Sequence, residues 1–487
     1  MQITLDRENG ISLTEQVLSS LKRMILDGAL GAGTKIPSTR ELAAELGVSR
    51  TVTIEVYGRL EAEGFTRSQR GSGTYVAAAP IAAAASAAER STARRTLHAR
   101  SAARGPQIGF EPLRTDLIDF RTGIPDLDAF PLTAWQRVQR QVWSEIRPRD
   151  LAYSAPEGRQ ELREAISAYL RLHRGVDCDP GTIIITSGTT QAIGLITSIM
   201  TGAGRSAVFV EDPVTKDIPP IIERFGGRPR AIPVDGEGLQ IGRRPRGVLP
   251  AFVYCTPSHH YPLGVTMSLG RRTELFAFAR RSHTWIVEDD YDSEFRYATP
   301  PISTLYELAP SRVAYIGTFR KTLAPALRIG FVVLPPELVR SGRQAKWHTD
   351  LHGGTPAQLV LARFIDEGGY ARHVARMRKL YRAKYRAMEG ALAASFDGRA
   401  QIVGDPVGMH AAVRFPGAKF SGELLRRIEG LGAKVYPAAD HTRFPERFSD
   451  TIVLGFGHLR IDQIEQGVEI LRRVITGRAG TRRVNGR

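Results

Sequence analysis

Residues 312–331 read RVAYIGTFRKTLAPALRIGF. VAYIG is a short run of β-branched and aromatic residues, the composition of a buried strand. Thr318, Arg320 and Lys321 follow it directly, and Arg328 lies seven residues beyond Lys321. Working outward, the same pattern recurs in GTIIITSG, SAVFVEDP, GVLPAFVYCTPS and TWIVEDDY. Amphipathic stretches such as TTQAIGLITSIMTG and SLGRRTELFAFARR lie between them. This alternation predicts an α/β fold with a mainly parallel sheet over residues 108–475. Ligands in such folds gather at the carboxyl ends of strands, so the polar residues there are the candidate site.

Two further features fit that rule. Ser187-Gly188-Thr189-Thr190-Gln191 follows the strand IIIT and opens a helix whose first N–H groups have no intrahelical acceptor, a natural phosphate seat. Asp289, Asp290 and Tyr291 follow TWIV. Adjacent strand residues face opposite sides, so Asp289 and Asp290 are expected to point apart. A lone Lys321 would read as a surface lysine, and a strand-turn-helix with Ser and Gly is common. Order and spacing carry the argument instead. Phosphate seat, acid, lysine and arginine in this succession resemble the fold-type I aminotransferases, which bind pyridoxal 5'-phosphate (PLP). YSAPEG from Tyr153 to Gly158, LREAISAYL and CTPSHHYPLG extend the likeness.

The resemblance implies a role for each residue. Lys321 forms the Schiff base with the cofactor aldehyde, which requires a neutral amine and hence a lowered pKa. Asp289 keeps the pyridine nitrogen protonated and the ring an electron sink. Tyr291 donates to the phenolic oxygen. Gly188, Thr189, Thr190, Thr318 and Arg328 hold the phosphate, and Tyr153 completes the cofactor set. Lys216 and Lys346 are the next lysine candidates.

The first 77 residues are organised differently. Leu13, Val17, Leu21, Met24 and Ile25 recur at helical spacing and predict a helix ending before Gly28. Ser38 and Glu41 form an S-x-x-E capping box, Gly47 ends that second helix, and Ser49 caps a third. FTRSQRGSGTYVA reads as two strands around a Gly-rich tip, a wing. GALGAGTKIPSTRELAAELGVSR, VYGRLEAEGF and RGSGTYVA, in that order, resemble the GntR-family winged helix-turn-helix. The resemblance implies double-stranded operator DNA as partner, contacted by Ser38, Arg40, Ser49, Arg50, Thr51, Thr53 and Gly73. The recognition helix would offer its amino-terminal residues to base edges, while hydroxyls, amides and Arg fix phosphates.

Between the two, residues 78–107 are rich in Ala and Arg with few large apolar groups, a linker composition. A basic tail occupies residues 476–487. Lys and Arg total 67 against 50 for Asp and Glu, for a net charge of +17, yet residues 1–77 hold nine of each sign. The excess positive charge therefore lies mostly outside the leading domain. The two cysteines, Cys178 and Cys255, exclude a disulfide framework and a Cys-based metal site, and no metal-ligand set is expected. No apolar run reaches the roughly 18 residues of a membrane helix, and the amino terminus lacks a signal-peptide pattern, so a cytoplasmic location is expected.

The whole chain thus reads as multidomain: a winged helix-turn-helix over 1–77, a linker over 78–107, a PLP-dependent transferase-like domain over 108–475 and a tail. EDDYDSEFRY, KTLAPALRIGF, GGYARHVARMRKLY and LGFGHL make it similar to the MocR/GabR transcriptional regulators. That resemblance implies a domain-swapped homodimer that binds DNA and senses a small amine, an amino acid or PLP itself. Departures bear on the ligand. Thr215 stands where an aromatic would stack on the ring, and Asp217 where GABA-responsive members carry Arg, which disfavours GABA. Arg320 precedes the lysine in place of Ser and is a possible extra phosphate ligand. Val453 replaces the carboxylate-binding Arg, for which Arg443 and Arg447 are weak substitutes. Two other readings stand beside the regulator: a working aminotransferase with an autoregulatory DNA-binding domain, and a domain that has lost the cofactor and only dimerises.

Overall fold

The computed structural model describes residues 3–7, 11–69, 71–77, 112, 114–202, 204–297 and 302–477. The expected linker and residues 478–487 of the tail lie outside them. The chain divides into two compact units, 1–111 and 112–487.

In the first unit, helix α1 (Leu13–Leu26) is capped by Ser12, whose hydroxyl accepts the Glu15 N–H. Helix α2 (Thr39–Leu46) opens on the Ser38–Glu41 capping box and stops at Gly47, which takes the left-handed conformation at φ 62°. Helix α3 (Arg50–Ala62) follows, with the Ser49 hydroxyl accepting the Val52 N–H. Val17, Leu18 and Leu21 on α1 pack with Leu42, Val56 and Leu60 in one core. Burying each such side chain contributes about 1.5–3 kcal/mol. The wing strands β2 (Thr66–Gln69) and β3 (Gly73–Val76) form a hairpin. A short strand that the sequence did not signal, β1 (Lys35–Ile36), pairs with β3 and buries Ile36. Two residues are too few to show a period, so only the tertiary pairing reveals it.

The second unit begins with β4 (Ile118–Asp119) and is built on an eight-stranded sheet. Its strands are β5 (Ile183–Thr186), β6 (Ala207–Asp212), β7 (Arg228–Asp235), β8 (Gly238–Leu239), β9 (Phe252–Cys255), β10 (Trp285–Asp290), β11 (Val313–Thr318) and β12 (Gly330–Val333). Their order is β5-β12-β11-β10-β9-β6-β7-β8. The central run from β11 to β7 is parallel, as expected, but the sheet is mixed. β12 runs antiparallel between β5 and β11, and β8 is antiparallel to β7. This inserted strand matters for the site. Its first residue, Gly330, lies beside Thr318 and Thr186, so the turn leading into it reaches the same edge as the ends of β5 and β11.

Side chains alternate between two cores. Phe252, Tyr254, Val287, Ala314 and Ile316 face one, with the helix Thr189–Met200; Val253, Cys255, Ile286, Val313 and Tyr315 face the other. A smaller sheet, β13 (Gln401–Val403), β14 (His410–Arg414), β16 (Tyr436–Pro437) and β17 (Thr451–Gly455), lies beyond the 28-residue helix Gly369–Phe396, while β15 (Ala433–Lys434) pairs with β4. Among the described residues, no helix is long and apolar enough to cross a membrane.

Candidate functional site

The predicted residues that follow β5, β10 and β11 converge on one edge of the large sheet. Asp289 is the next-to-last residue of β10 and is 5% exposed. Its Oδ2 accepts the Tyr254 hydroxyl at 2.6 Å, because Tyr254 on the neighbouring β9 faces the same core. The other oxygen, Oδ1, is buried without a hydrogen-bond partner. Burial pushes the carboxyl up to about 7, against the lowering effect of the Tyr254 hydrogen bond.

Asp290 points the other way. Its Oδ2 accepts Arg174 at 2.6 and 3.1 Å and the Tyr315 hydroxyl at 2.6 Å. Burial disfavours its charge, but the Arg174 guanidinium reverses that and holds the carboxyl below its ordinary range. Asp290 Oδ1 is likewise buried without a hydrogen-bond partner. The two adjacent acids therefore differ in their other oxygen: Asp290 is neutralised there by a buried cation, whereas Asp289 accepts an uncharged hydroxyl.

Lys321 Nζ donates to the Gly123 carbonyl at 3.0 Å. Burial, helped by the neighbouring Arg320 charge, lowers its pKa to about 7, while Asp292 and Asp289 oppose the shift. The group is therefore partly neutral near pH 7, which a nucleophilic amine needs. Gly123, at φ 81°, is one site residue the sequence reading missed; a Cβ there would collide with the lysine amine.

Gly188, at φ 111°, caps the helix Thr189–Met200 with no side-chain acceptor, leaving its first amides available to an anion. Gly330 lets β12 pass close: a Cβ on it would lie 3.0 Å from Gly188 Cα. Arg328 is exposed and in the left-handed region at φ 52°, a conformation uncommon for a non-glycine residue. Its guanidinium lies 3.7 Å from where a Cβ on Gly188 would sit. Thr318 is buried, with its hydroxyl accepting the Arg320 N–H at 3.2 Å.

Tyr291 approaches from another side, its hydroxyl 3.2 Å from His259 Nδ1, which is also 2.9 Å from Asp292 Oδ1. His259, Asp292 and His410 bring their donor atoms within 4.8 Å of one another. Tyr261 and Thr122 join the same wall through a hydroxyl pair at 2.9 Å. No sequence spacing signalled this cluster, since its members come from four separate segments. Tyr254 also went unrecognised, although a tyrosine inside an apolar strand usually needs a polar partner.

Other candidates stand elsewhere. Tyr153 is 82% exposed, its ring 6.0 Å from His352, and it does not join the cluster within this chain. It lies on an exposed loop, so nothing within this one chain brings it to the Lys321 site. Lys346 is buried and paired with Asp350, and Lys216 is exposed. Val453 is fully buried in β17. The Arg443 N–H donates to Asp212 Oδ1 at 3.1 Å, and Arg443, Lys216, Asp440 and His441 line a cavity of about 150 Å³. Arg447 packs over Phe444.

On the winged unit, Ser38, Arg40, Ser49, Arg50, Thr51 and Gly73 are exposed. Thr53 is a correction. It is 0% exposed, and its hydroxyl is spent on the carbonyls of Thr39 at 2.8 Å and Arg50 at 3.0 Å. Its position on the first turn of α3 faces α2, so it ties the two helices together and cannot reach DNA.

Open Asp289 oxygen, depressed lysine and glycine-lined helix terminus make a donor set suited to a phosphorylated pyridine aldehyde. Comparison with known proteins agrees. Residues 13–76 match the family of bacterial regulatory proteins, gntR family, and residues 115–431 match aminotransferase class I and II. The chain is 33% identical over 477 residues to the probable rhizopine catabolism regulatory protein MocR of Rhizobium meliloti, covering 96% of this chain and 95% of that one. It is 29% identical to the pyridoxine biosynthesis transcriptional regulator PdxR of Corynebacterium glutamicum, covering 78% and 79%. Among solved structures, the kynurenine aminotransferase of Pyrococcus horikoshii, in complex with PMP, superposes with a TM-score of 0.68 at 28% identity, covering 79% of this chain and 94% of that one.

Proposed function

The chain belongs to the MocR/GabR-type transcriptional regulators, a GntR winged helix-turn-helix joined to an aminotransferase class I and II domain, and on that premise we propose that occupancy of the Lys321 site controls its binding to operator DNA. The observation that carries the cofactor half is the buried Asp289 Oδ1 without a partner. Leaving such an atom unsatisfied is costly, and a protonated pyridine nitrogen would satisfy it.

The large domain binds PLP. In the assignment we favour, Asp289 takes the ring nitrogen, the amides of 188–190 with Arg328 and Thr318 take the phosphate, and Lys321 takes the aldehyde. When bound, the cofactor supplies an electrophilic carbon and an electron-withdrawing ring. The chain's own residues do the rest. Tyr254 keeps Asp289 oriented and its charge favoured. Gly123 and the surrounding wall hold the Lys321 amine with its proton loosely bound, ready to yield its place to the amine of an effector. Thr215 and Val453 offer neither an aromatic face nor a cation, which supports sensing over efficient transamination. A catalytically active aminotransferase remains the second reading, favoured by the lowered Lys321 pKa.

On the winged unit, exposed Arg40, Arg50 and Thr51 at the start of α2 and α3 would meet the major groove, with Gly73 on the wing. Exposed Trp143, Leu151 and Tyr153 on the second unit support a homodimer, domain-swapped in our reading, in which a second copy covers them. Such a regulator works in the cytoplasm, where its operator is.

Paired titrations test the proposal: operator affinity with and without PLP and a panel of small amines, and ligand affinity with and without operator. Linkage requires the two effects to be equal, typically about 5–150-fold. An operator affinity indifferent to PLP and to every amine would defeat the sensing half.

A further inference from the structure

Lys346 is among the largest fully buried side chains, at 0% exposure. A buried ammonium must be paired, and its partner is the Asp350 carboxylate one turn further along the helix Pro336–Asp350. The other carboxylate oxygen, Oδ2, accepts Gln191 Nε2 at 2.8 Å. A carboxylate can only accept, so it fixes which end of the Gln191 amide faces it. The opposite end, Oε1, is then directed at Ser187 and accepts its N–H at 2.8 Å. Ser187 joins the end of β5 to the Gly188 cap, so an ion pair on one helix sets the turn that opens another. The Ser187 amide is thereby spent, and an anion must be held from residue 188 onward.

We propose that Lys346, Asp350 and Gln191 form a positioning relay that holds the 187–190 turn in the shape required by the cofactor's phosphate. The proposal rests on reading that turn as the phosphate seat. Lys346 acts by holding the Asp350 carboxylate in place; Asp350 acts by orienting Gln191. None of the three touches the phosphate.

The test compares PLP with pyridoxal, which lacks the phosphate, by equilibrium absorbance titration of the full-length protein. Lys346→Met leaves Asp350 unpaired and is expected to weaken PLP binding about tenfold while changing pyridoxal binding less than about twofold. Lys346→Met/Asp350→Asn keeps a carbonyl acceptor for Gln191 without a buried charge, and is expected to recover PLP binding to within about threefold of wild type. Gln191→Leu, which changes no charge, should show the same selective loss if Lys346→Met folds poorly. Equal losses for both ligands, wild-type preference in all variants, or no recovery in the double variant would each overturn the relay. A wild-type protein with no preference for PLP over pyridoxal would instead remove the phosphate seat itself.

Discussion

The Tyr254 hydroxyl donates to Asp289 Oδ2 at 2.6 Å and leaves Oδ1 buried and open. The pair bridges the adjacent strands β9 and β10. Tyr254 favours the ionised form that a protonated pyridine needs.

Tyr254→Phe removes that donor, so the Asp289 pKa should rise further. The carboxylate then protonates at higher pH, and PLP affinity should begin to fall at higher pH than in wild type. Hydrogen bonds to charged groups are worth about 1.5–3 kcal/mol, so a loss of roughly tenfold or more in affinity is expected at neutral pH. Absorbance titrations across pH 5–9 measure it; superimposable curves for the two proteins would refute the pairing.

Lys321 carries a pKa of about 7 where an ordinary lysine lies near about 10.4. PLP capture should therefore rise with pH around a midpoint near 7 and level off, whereas an ordinary lysine would continue to gain beyond pH 9. The linkage sign follows from the depressed value. Between the two pKa values the unfolded chain holds the extra proton, so this group makes stability increase with pH across that window. Lys321→Met should abolish capture yet stabilise the cofactor-free domain near pH 6, measured by denaturant melts.

On the winged unit, Arg50 and Thr53 should separate cleanly. Arg50→Ala is expected to cost about 1–3 kcal/mol of operator affinity and to relax sequence preference if it reads a base edge. Thr53→Val should lower stability by about 1 kcal/mol through its lost hydrogen bonds, with operator affinity of the folded protein intact. Fluorescence anisotropy at fixed salt, with melts alongside, distinguishes them; a Thr53→Val protein that melts normally but loses the operator would restore Thr53 as a contact.

Arg174 and Asp290 are both almost fully buried. Removing one partner strands a charge, so Arg174→Met should destabilise the second unit by about 3–5 kcal/mol, and Arg174→Met/Asp290→Asn should recover much of it. Denaturant unfolding reads both. A single variant as stable as wild type would mean that the pair is not what neutralises Asp290.

Much of this protein is local and so was legible in its residues. The Ser38–Glu41 box, the Ser49 cap and the period-two split between Asp289 and Asp290 are decided within a few residues of chain. The convergence of Gly188, Asp289, Thr318 and Lys321 follows from each standing at the end of a strand of one direction. What the sequence could not give depends on which elements become neighbours. Arg328 reaches the Gly188 turn because antiparallel β12 is inserted between β5 and β11. Thr53 faces α2, Tyr153 is exposed within the chain, Tyr254 meets Asp289, and Lys346 is linked to Ser187 through Asp350 and Gln191. Side-chain direction is fixed by the pitch of a helix or strand, but a partner 35 or 159 residues away is chosen only when the packed cores bring two surfaces together and the buried polar atoms must find one another.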